Sequence, residues 1–345
     1  MTRRHYRPIL IAGQGLAGTL LAVALIERGR RVLVADPGHA VGASGVAAGL
    51  VNPITGQRLA RAGDLETLLP ATHRRLTALA ELLGQPVHRP TPILRYLWGD
   101  RPRTAWPRRR EDSAYTPYLE AGPEPDSVWI HGGAVVDNEA LIRGVRAWLA
   151  DNGNLVAERV DPGDVTEARE GIRWAGGSYS RVVFCEGDQV GTNPWFGEIP
   201  LAPIKGQVLE GRASDLPAYP VHGTKSLVPL GGDRFRVGAT YDRDDIGREP
   251  TEAGRVALEA GMEELLPRPE GATINRHLAA IRPGSPDGRP FLGHPPGHPR
   301  VGLFNGLGSK GLLLGPYYAD RLAQALAEGG DLPPEATPDR FAGSS

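Results

Sequence analysis

The 345-residue chain has a single cysteine, Cys185. That excludes a disulfide framework and a cysteine-based metal cluster. Net charge is almost absent, at −1, so no global field draws nucleic acid or an anionic membrane. No segment reaches the ~20 apolar residues of a membrane span. There is no Gly-x-Ser-x-Gly elbow, and Cys185 sits inside an apolar run, so no activated nucleophile is visible. Internal repeats are absent. His294 and His298 are four apart, but "GHPPGHPR" cannot be a helix and no third ligand is near, so no metal site is expected. Lysine is scarce: of 39 basic residues only Lys205, Lys225 and Lys310 are lysines. A genome that favours arginine codons accounts for the bias. The surviving ammonium groups still stand out, because an ammonium and a guanidinium differ chemically. Apolar content of 40 % and charged content of 23 % are those of an ordinary soluble globular protein. The length suits two domains, and a reducing cytoplasm is the expected compartment.

What is present begins at residues 9–38, "ILIAGQGLAGTLLAVALIERGRRVLVADPG". Arginines followed by an apolar run look like a secretory signal, but Gly13, Gln14, Gly15 and Gly18 break the run where a signal needs continuity. The stretch divides instead into a strand, a glycine turn, a helix ended by Gly29, and a second strand ending on Asp36. That is Gly-x-Gly-x-x-Gly in its βαβ context, the dinucleotide-binding fingerprint. Gly13 permits the tight turn, Gly15 lets the backbone approach a pyrophosphate, and Gly18 allows close helix–sheet packing. The pyrophosphate would sit at the helix N-terminus, over Gln14, Leu16 and Ala17. Asp36, followed by Pro37, would accept hydrogen bonds from a ribose.

The fingerprint does not choose between NAD and FAD. Residues 41–58, "VGASGVAAGLVNPITGQR", are rich in small residues and too long to be an idle loop. "ASGVAAG" after such a unit resembles the FAD loop of the D-amino-acid oxidase family, which includes glycine oxidase, sarcosine oxidase and the oxidase domain of a bifunctional tRNA wobble-uridine modification enzyme. Later stretches agree in order: "RVVFCEG" (181–187), "PIKGQVL" (203–209), "IRPGSPDGRPFLG" (281–293) and "LFNGLGSKGLLLGPYYADRLAQAL" (303–326). The resemblance runs from about Ile9 to Leu326. "RVGATYDRDD" and "GLGSKGL" look most like the tRNA-enzyme branch.

The resemblance implies an α/β fold, with a Rossmann-type FAD-binding domain interleaved with an antiparallel-sheet substrate domain. The FAD-binding domain is expected at 1–82, 131–200 and 280–330, the substrate domain at 83–130 and 201–279, and a turn-rich tail at 331–345. Apolar spacing predicts helices in "LETLLPATHRRLTALAELLG", "NEALIRGVRAWLADNG" and "EAGRVALEAGMEELLP", the last stopped by Pro267. The Pro- and Arg-rich stretch from Gly84 to Arg110 reads as strand-like. "SLVPLGGDRFRVGATY" reads as a hairpin turning at Gly-Gly-Asp.

Further cofactor contacts implied by the resemblance are Ser44, Ala47, Ala48 and Gly49 in the small-residue loop. Val160 and Gly187 would contribute backbone contacts. Gly306, Gly308, Ser309, Lys310 and Gly311 would meet the pyrimidine end of the flavin at a helix N-terminus, where negative charge on the reduced ring is stabilised. Flavin amine oxidation is hydride transfer, and the cofactor supplies the difficult step. The protein must hold the substrate carboxylate, keep the amine neutral, orient the C–H bond and admit oxygen. By motif position Arg282 resembles the family arginine that grips the carboxylate through two hydrogen bonds. Lys310 would add a point charge near the ring. Lys205 is either a second cation favouring reaction with oxygen or a solvated lysine. The tyrosine that glycine oxidase carries before its Val-Pro strand is missing; Ser226 and Leu227 stand there, and Tyr241 or Lys225 could replace it. Asn52 could face the active cavity.

The expected function is FAD-dependent oxidation of a C–N bond in an amino acid or secondary amine. Oxygen is the acceptor, hydrogen peroxide a product, and water hydrolyses the imine. One alternative is action on a carboxymethylaminomethyl-uridine of tRNA; the basic cluster "RPRTAWPRRR" with Trp106 could then touch RNA phosphates, though such runs are usually a solvated face. The other is a non-catalytic flavin-binding subunit of a dehydrogenase complex.

Overall fold

The computed structural model describes residues 7–38 and 42–341. Val41, which opens the small-residue stretch, and residues 342–345 of the expected tail lie outside the described residues. The chain forms two compact units: Met1–Gly45, Ile142–Ile204 and Arg282–Ser345 make the first, and Val46–Leu141 with Lys205–Ile281 the second.

In the first unit, six strands form one sheet in the order Leu155–Val156, Val32–Ala35, Ile9–Ala12, Arg181–Phe184, Val301–Asn305, Phe291–Gly293. All pairs are parallel except the last. Strands buried on both faces need continuous apolar runs, and Ile9–Ala12 and Arg181–Phe184 supply them. Leu10, Phe184, Phe291 and Leu303, all fully buried, share one apolar cluster, each contributing roughly 1.5–3 kcal/mol. The helix Leu16–Glu27 is apolar almost all round and buried along most of its length, as a helix packed on several sides must be. It lies against the helix Gly311–Glu328. Gly311 and Gly315 allow that approach: a Cβ on Gly315 would stand 2.8 Å from Leu20 Cδ1.

The second unit is built on an eight-stranded sheet. Its order is Thr273–Gly284, Ala202–Arg212, Arg234–Gly238, Ser226–Gly231, Val221–His222, Ile93–Tyr96, Ser127–Ile130, Leu119–Ala121. The expected hairpin is present, with Ser226–Gly231 and Arg234–Gly238 joined through Gly232 and Asp233. The helix Glu252–Leu265 packs its Leu258, Met262 and Leu265 on Leu209, Val221, Leu227 and Val237, one face of the sheet. Thr251 caps it, accepting from Gly254 N at 3.1 Å.

The other two predicted helices also form, at Leu65–Leu83 and Asn138–Asp151. The first ends on Gly84 in the left-handed conformation, φ 62°. The strand-like reading of 84–110 needs correction. Strands occupy only His88–Pro90 and Ile93–Tyr96, and Asp100–Glu111 is a helix despite two prolines. Pro102 sits in its first turn, where no helical N–H is lost. Asp100 at its start and Arg108, Arg109 and Arg110 at its end complement the helix dipole.

Residues 46–82, which the expected boundaries place with the cofactor domain, pack within the second unit. Leu50–Val51 pairs with Ala134–Val136, which pairs with His88–Pro90. Among the described residues no helix is long and apolar enough to cross a membrane.

Candidate functional site

Gly13 and Gly18 of the fingerprint occupy positions that only glycine fits. Gly13 has φ +98°, and a Cβ there would lie 2.7 Å from Cys185 O; a Cβ on Gly18 would lie 1.9 Å from Gly13 O. Gly15 caps the helix Leu16–Glu27, which has no acidic side chain in its first turn, so the positive helix end is left for an anion. Ser44 Oγ accepts from Leu16 N at 2.9 Å. Ala17 is half-buried and Pro37 exposed. This cradle fits a dinucleotide pyrophosphate: close backbone, no side chains in the way, a helix end and a hydroxyl.

Asp36 is more committed than its expected ribose role implies. Its Oδ2 accepts from Gln14 N at 2.7 Å, and its Oδ1 accepts from Gly38 N at 2.7 Å and Arg146 Nη1 at 3.0 Å. Arg146 also donates to Asp36 O at 2.8 Å and Gln14 Oε1 at 3.2 Å. A carboxylate offers about four acceptor sites, so little of Asp36 remains for a ligand. Sequence reasoning missed Arg146. It lies in the predicted helix "NEALIRGVRAWLADNG", and nothing local marks which of that helix's arginines turns inward.

The other expected cofactor residues divide between the units. In the first, Gly187 has φ +63° and its carbonyl accepts from Asn305 Nδ2 at 2.9 Å, while Asn305 Oδ1 accepts from Gly306 N at 2.7 Å. Gly308–Lys310 form a 3₁₀ turn leading into Gly311–Glu328, with Ser309 exposed. Lys310 is half-buried, and burial pulls its ammonium pKa down. Val160, expected to give backbone contacts, lies beyond the strand Leu155–Val156, its side chain in the apolar cluster. Arg282 is half-buried near the end of the strand Thr273–Gly284. Cys185 is fully buried, and burial pushes its thiol pKa up, as expected of an inert cysteine.

In the second unit, Ala47 O accepts from Arg236 Nη1, Ala48 is half-buried, and Gly49 is held in the sheet by Val136 N. Asn52 Oδ1 caps its own turn, accepting from Ile54 N at 3.1 Å. Lys205 is neither solvated nor free. Its side chain is 2 % exposed and ion-paired with Asp245 at 2.5 Å. Its backbone exchanges both hydrogen bonds with Asp242. Lys225 packs its stem against Gly261 of the helix Glu252–Leu265. Tyr241 is 57 % exposed, with Arg243 beside its ring.

The second unit also buries polar groups that sequence reasoning passed over. Arg95 and Arg236 are 4 % and 3 % exposed. Arg236 is ion-paired with Glu210. Arg95 Nη2 donates to Gly56 O at 2.8 Å. His222 Nδ1 lies 2.7 Å from Ser226 Oγ; burial and the Arg95 charge push the imidazole pKa down to about 3. The available signal was an arginine inside "PILRYL", an otherwise apolar strand.

A family model described as FAD dependent oxidoreductase matches residues 8–325. Glycine oxidase of Pseudomonas putida is 27 % identical over 340 residues, covering 90 % of this chain and 92 % of that protein. The tRNA 5-methylaminomethyl-2-thiouridine biosynthesis bifunctional protein MnmC of Marinobacter nauticus is 29 % identical, covering 93 % of this chain but 56 % of that protein. Among solved structures, glycine oxidase from Geobacillus kaustophilus superposes with a TM-score of 0.78 at 23 % identity, covering 95 % of this chain and 96 % of that one.

Proposed function

The chain belongs to the FAD dependent oxidoreductase family, and on that premise we propose that it oxidises a C–N bond of a small amino acid or secondary amine. It is an FAD-dependent enzyme with a D-amino-acid-oxidase-like fold. The observation that carries the reading is the glycine cradle at residues 13–18, in which Gly13 and Gly18 stand too close to backbone to bear a Cβ. Glycine oxidases that align along nearly the whole chain support the amine chemistry.

Bound FAD would supply the acceptor for the substrate hydride and the route of its two electrons to oxygen, so that the amine would become an imine open to hydrolysis. The backbone of 13–18 would hold the pyrophosphate. Arg146 fixes Asp36 and Gln14, and so the edge of the cradle, in one arrangement. Arg282 holds a substrate carboxylate, for which a guanidinium is geometrically suited. The turn Gly308–Gly311, with its helix N-terminus and the Lys310 ammonium, would stabilise negative charge on a reduced flavin.

The test is an anaerobic flavin-bleaching screen of the purified holoprotein over amino acids and N-alkyl glycines, with Arg282→Ala as control. A bleaching amine is expected, with reduction slowed in Arg282→Ala. A colourless protein that takes up no FAD, or a flavin that no amine bleaches, overturns the reading. Equal reduction by Arg282→Ala removes Arg282 from it. The likeness to MnmC favours a second reading, a carboxymethylaminomethyl-uridine of tRNA as the amine. Salt-dependent retention of tRNA by the protein separates the two.

A further inference from the structure

Arg95 lies inside the second unit's sheet with no counter-charge among the described residues. Its Nε and Nη1 are buried without a hydrogen-bond partner among the described residues, and only Nη2 is engaged, on the Gly56 carbonyl. Burial alone moves its pKa, down to about 10; no carboxylate acts against it. The other cations buried in this sheet are different. Lys205 has Asp245 and Arg236 has Glu210. Burying an unpaired charge is expensive, so a fold that keeps one is arranged for an anion that arrives from outside.

The surroundings are those of a binding site. The registers Arg95↔His222 and His222↔Ser226 put the three residues in one row across adjacent strands. Side chains in such a row share one face of the sheet. The row continues to Gly238 and Val208 and is flanked on the other side by Val128. The helix Glu252–Leu265 covers the opposite face, through Leu209, Leu227 and Val237. The Arg95 face therefore offers one cation and a neutral imidazole hydrogen-bonded to a hydroxyl, beside Val208, whose side chain lies over Gly238. Planar guanidinium against planar carboxylate is the match this donor set makes best.

We propose that Arg95, His222 and Ser226 form a carboxylate-binding site within the second unit, and that its preferred ligand is a small dicarboxylate. The inference rests on the amine-oxidising reading and narrows it to amino acids that carry a second carboxylate.

The test compares iminodiacetate with N-methylglycine, which differ by that carboxylate, in steady-state kinetics of the holoenzyme. It also compares glutarate with butyrate, their non-oxidisable counterparts, in ligand-observed NMR binding. The wild type is expected to favour the dicarboxylate in kcat/KM and in affinity by about 10–100-fold, the discrimination of a charge-assisted contact. Arg95→Met is expected to abolish the preference and Arg95→Lys to keep part of it. If Arg95→Met lowers FAD content, Ser226→Phe, which fills the same face, is expected to give the same loss. A folded Arg95→Met that keeps the wild-type preference, or a wild type with none, overturns the site and leaves only water on the Arg95 nitrogens. Arg95-dependent glutarate binding in a protein that oxidises no amine supports the site and overturns the amine reading. Amine oxidation indifferent to Arg95 does the reverse.

Discussion

In the first unit, the glycine turn of the candidate site rests on backbone, with the Arg146 side chain bracing Asp36. Asp36 is held by the N–H groups of Gln14 and Gly38, and the turn beside it closes because Gly13 and Gly18 have no Cβ to strike the carbonyl oxygens of Cys185 and Gly13. In the second unit the site rests on side chains standing on a sheet. Arg95, His222 and Ser226 meet only because three strands pair in one register. A backbone site tolerates almost no substitution and depends on a contiguous segment. A side-chain site depends on residues more than a hundred positions apart in the chain, and its members can be exchanged singly. The two should therefore fail in different ways.

The largest effect is expected in the backbone site. Gly18→Ala would put a Cβ 1.9 Å from the Gly13 carbonyl oxygen, and neither atom belongs to a flexible side chain. A loss of ~3 kcal/mol or more is expected from such overpacking, with FAD lost on gel filtration. Retention of FAD with an unchanged urea midpoint would show that the cradle is not as tight as its geometry. Arg146→Ala should do less. It leaves the buried Asp36 with two backbone donors and removes the guanidinium, a cost of about 1–3 kcal/mol. FAD release should quicken by roughly ten-fold, while KM for the amine stays put, because Arg146 touches the cradle only. A changed KM with unchanged FAD release would move Arg146 out of that role.

The same contrast explains what could be read in advance. Gly13, Gly15, Gly18 and Asp36 were legible because a fingerprint is local: strand, turn, helix and acid follow one another within 28 residues, 9 to 36. The three amphipathic helices and the Gly-Gly-Asp hairpin were legible for the same reason. Arg95 was not, since its meaning comes from His222 across a parallel pairing, and nothing in "PILRYLWGD" names its neighbour. Lys205 was legible as unusual but not as paired, because Asp245 lies 40 residues on. The Asp100–Glu111 helix was obscured by its prolines, which local propensity penalises; the first turn tolerates Pro102, while Pro107 stands inside the helix.

Acid should separate the units further. His222, held near pKa 3, resists the proton that an unfolded histidine takes near 6.5. The unfolded chain therefore binds more protons between those values, and stability is full above pH 6.5 and falls as pH drops toward 3. The slope is at most about 1.4 kcal/mol per pH unit. Between pH 7 and 5 a loss of about 1–2 kcal/mol in urea unfolding is expected. His88 and His277, also lowered by burial, act in the same direction, so His222→Asn is the control that isolates this share. In Arg95→Met the slope should be shallower, because the neighbouring charge is gone. An acid slope untouched by either substitution would detach His222 from Arg95.

The smallest effect is the most direct test of what an unpaired cation means in this sheet. Asp245→Asn converts Lys205 from the paired state into that of Arg95. Asp245 is largely in water, and its carboxyl is held below the usual carboxylate range chiefly by the Lys205 hydrogen bond. That contribution is present above pH 3.8 and is lost as pH falls through the depressed value. In Asp245→Asn, Lys205 remains buried without its charge partner while its backbone bridge to Asp242 stays. The urea midpoint should fall slightly at pH 7 with an unchanged m-value, and the difference from wild type should vanish in acid. Lys205 should also become an acceptor of added small anions, so glutarate should raise the midpoint of the variant more than that of the wild type. If it does not, burial and lost pairing are insufficient to make an anion site here, and the case for Arg95 must then stand on His222 and Ser226.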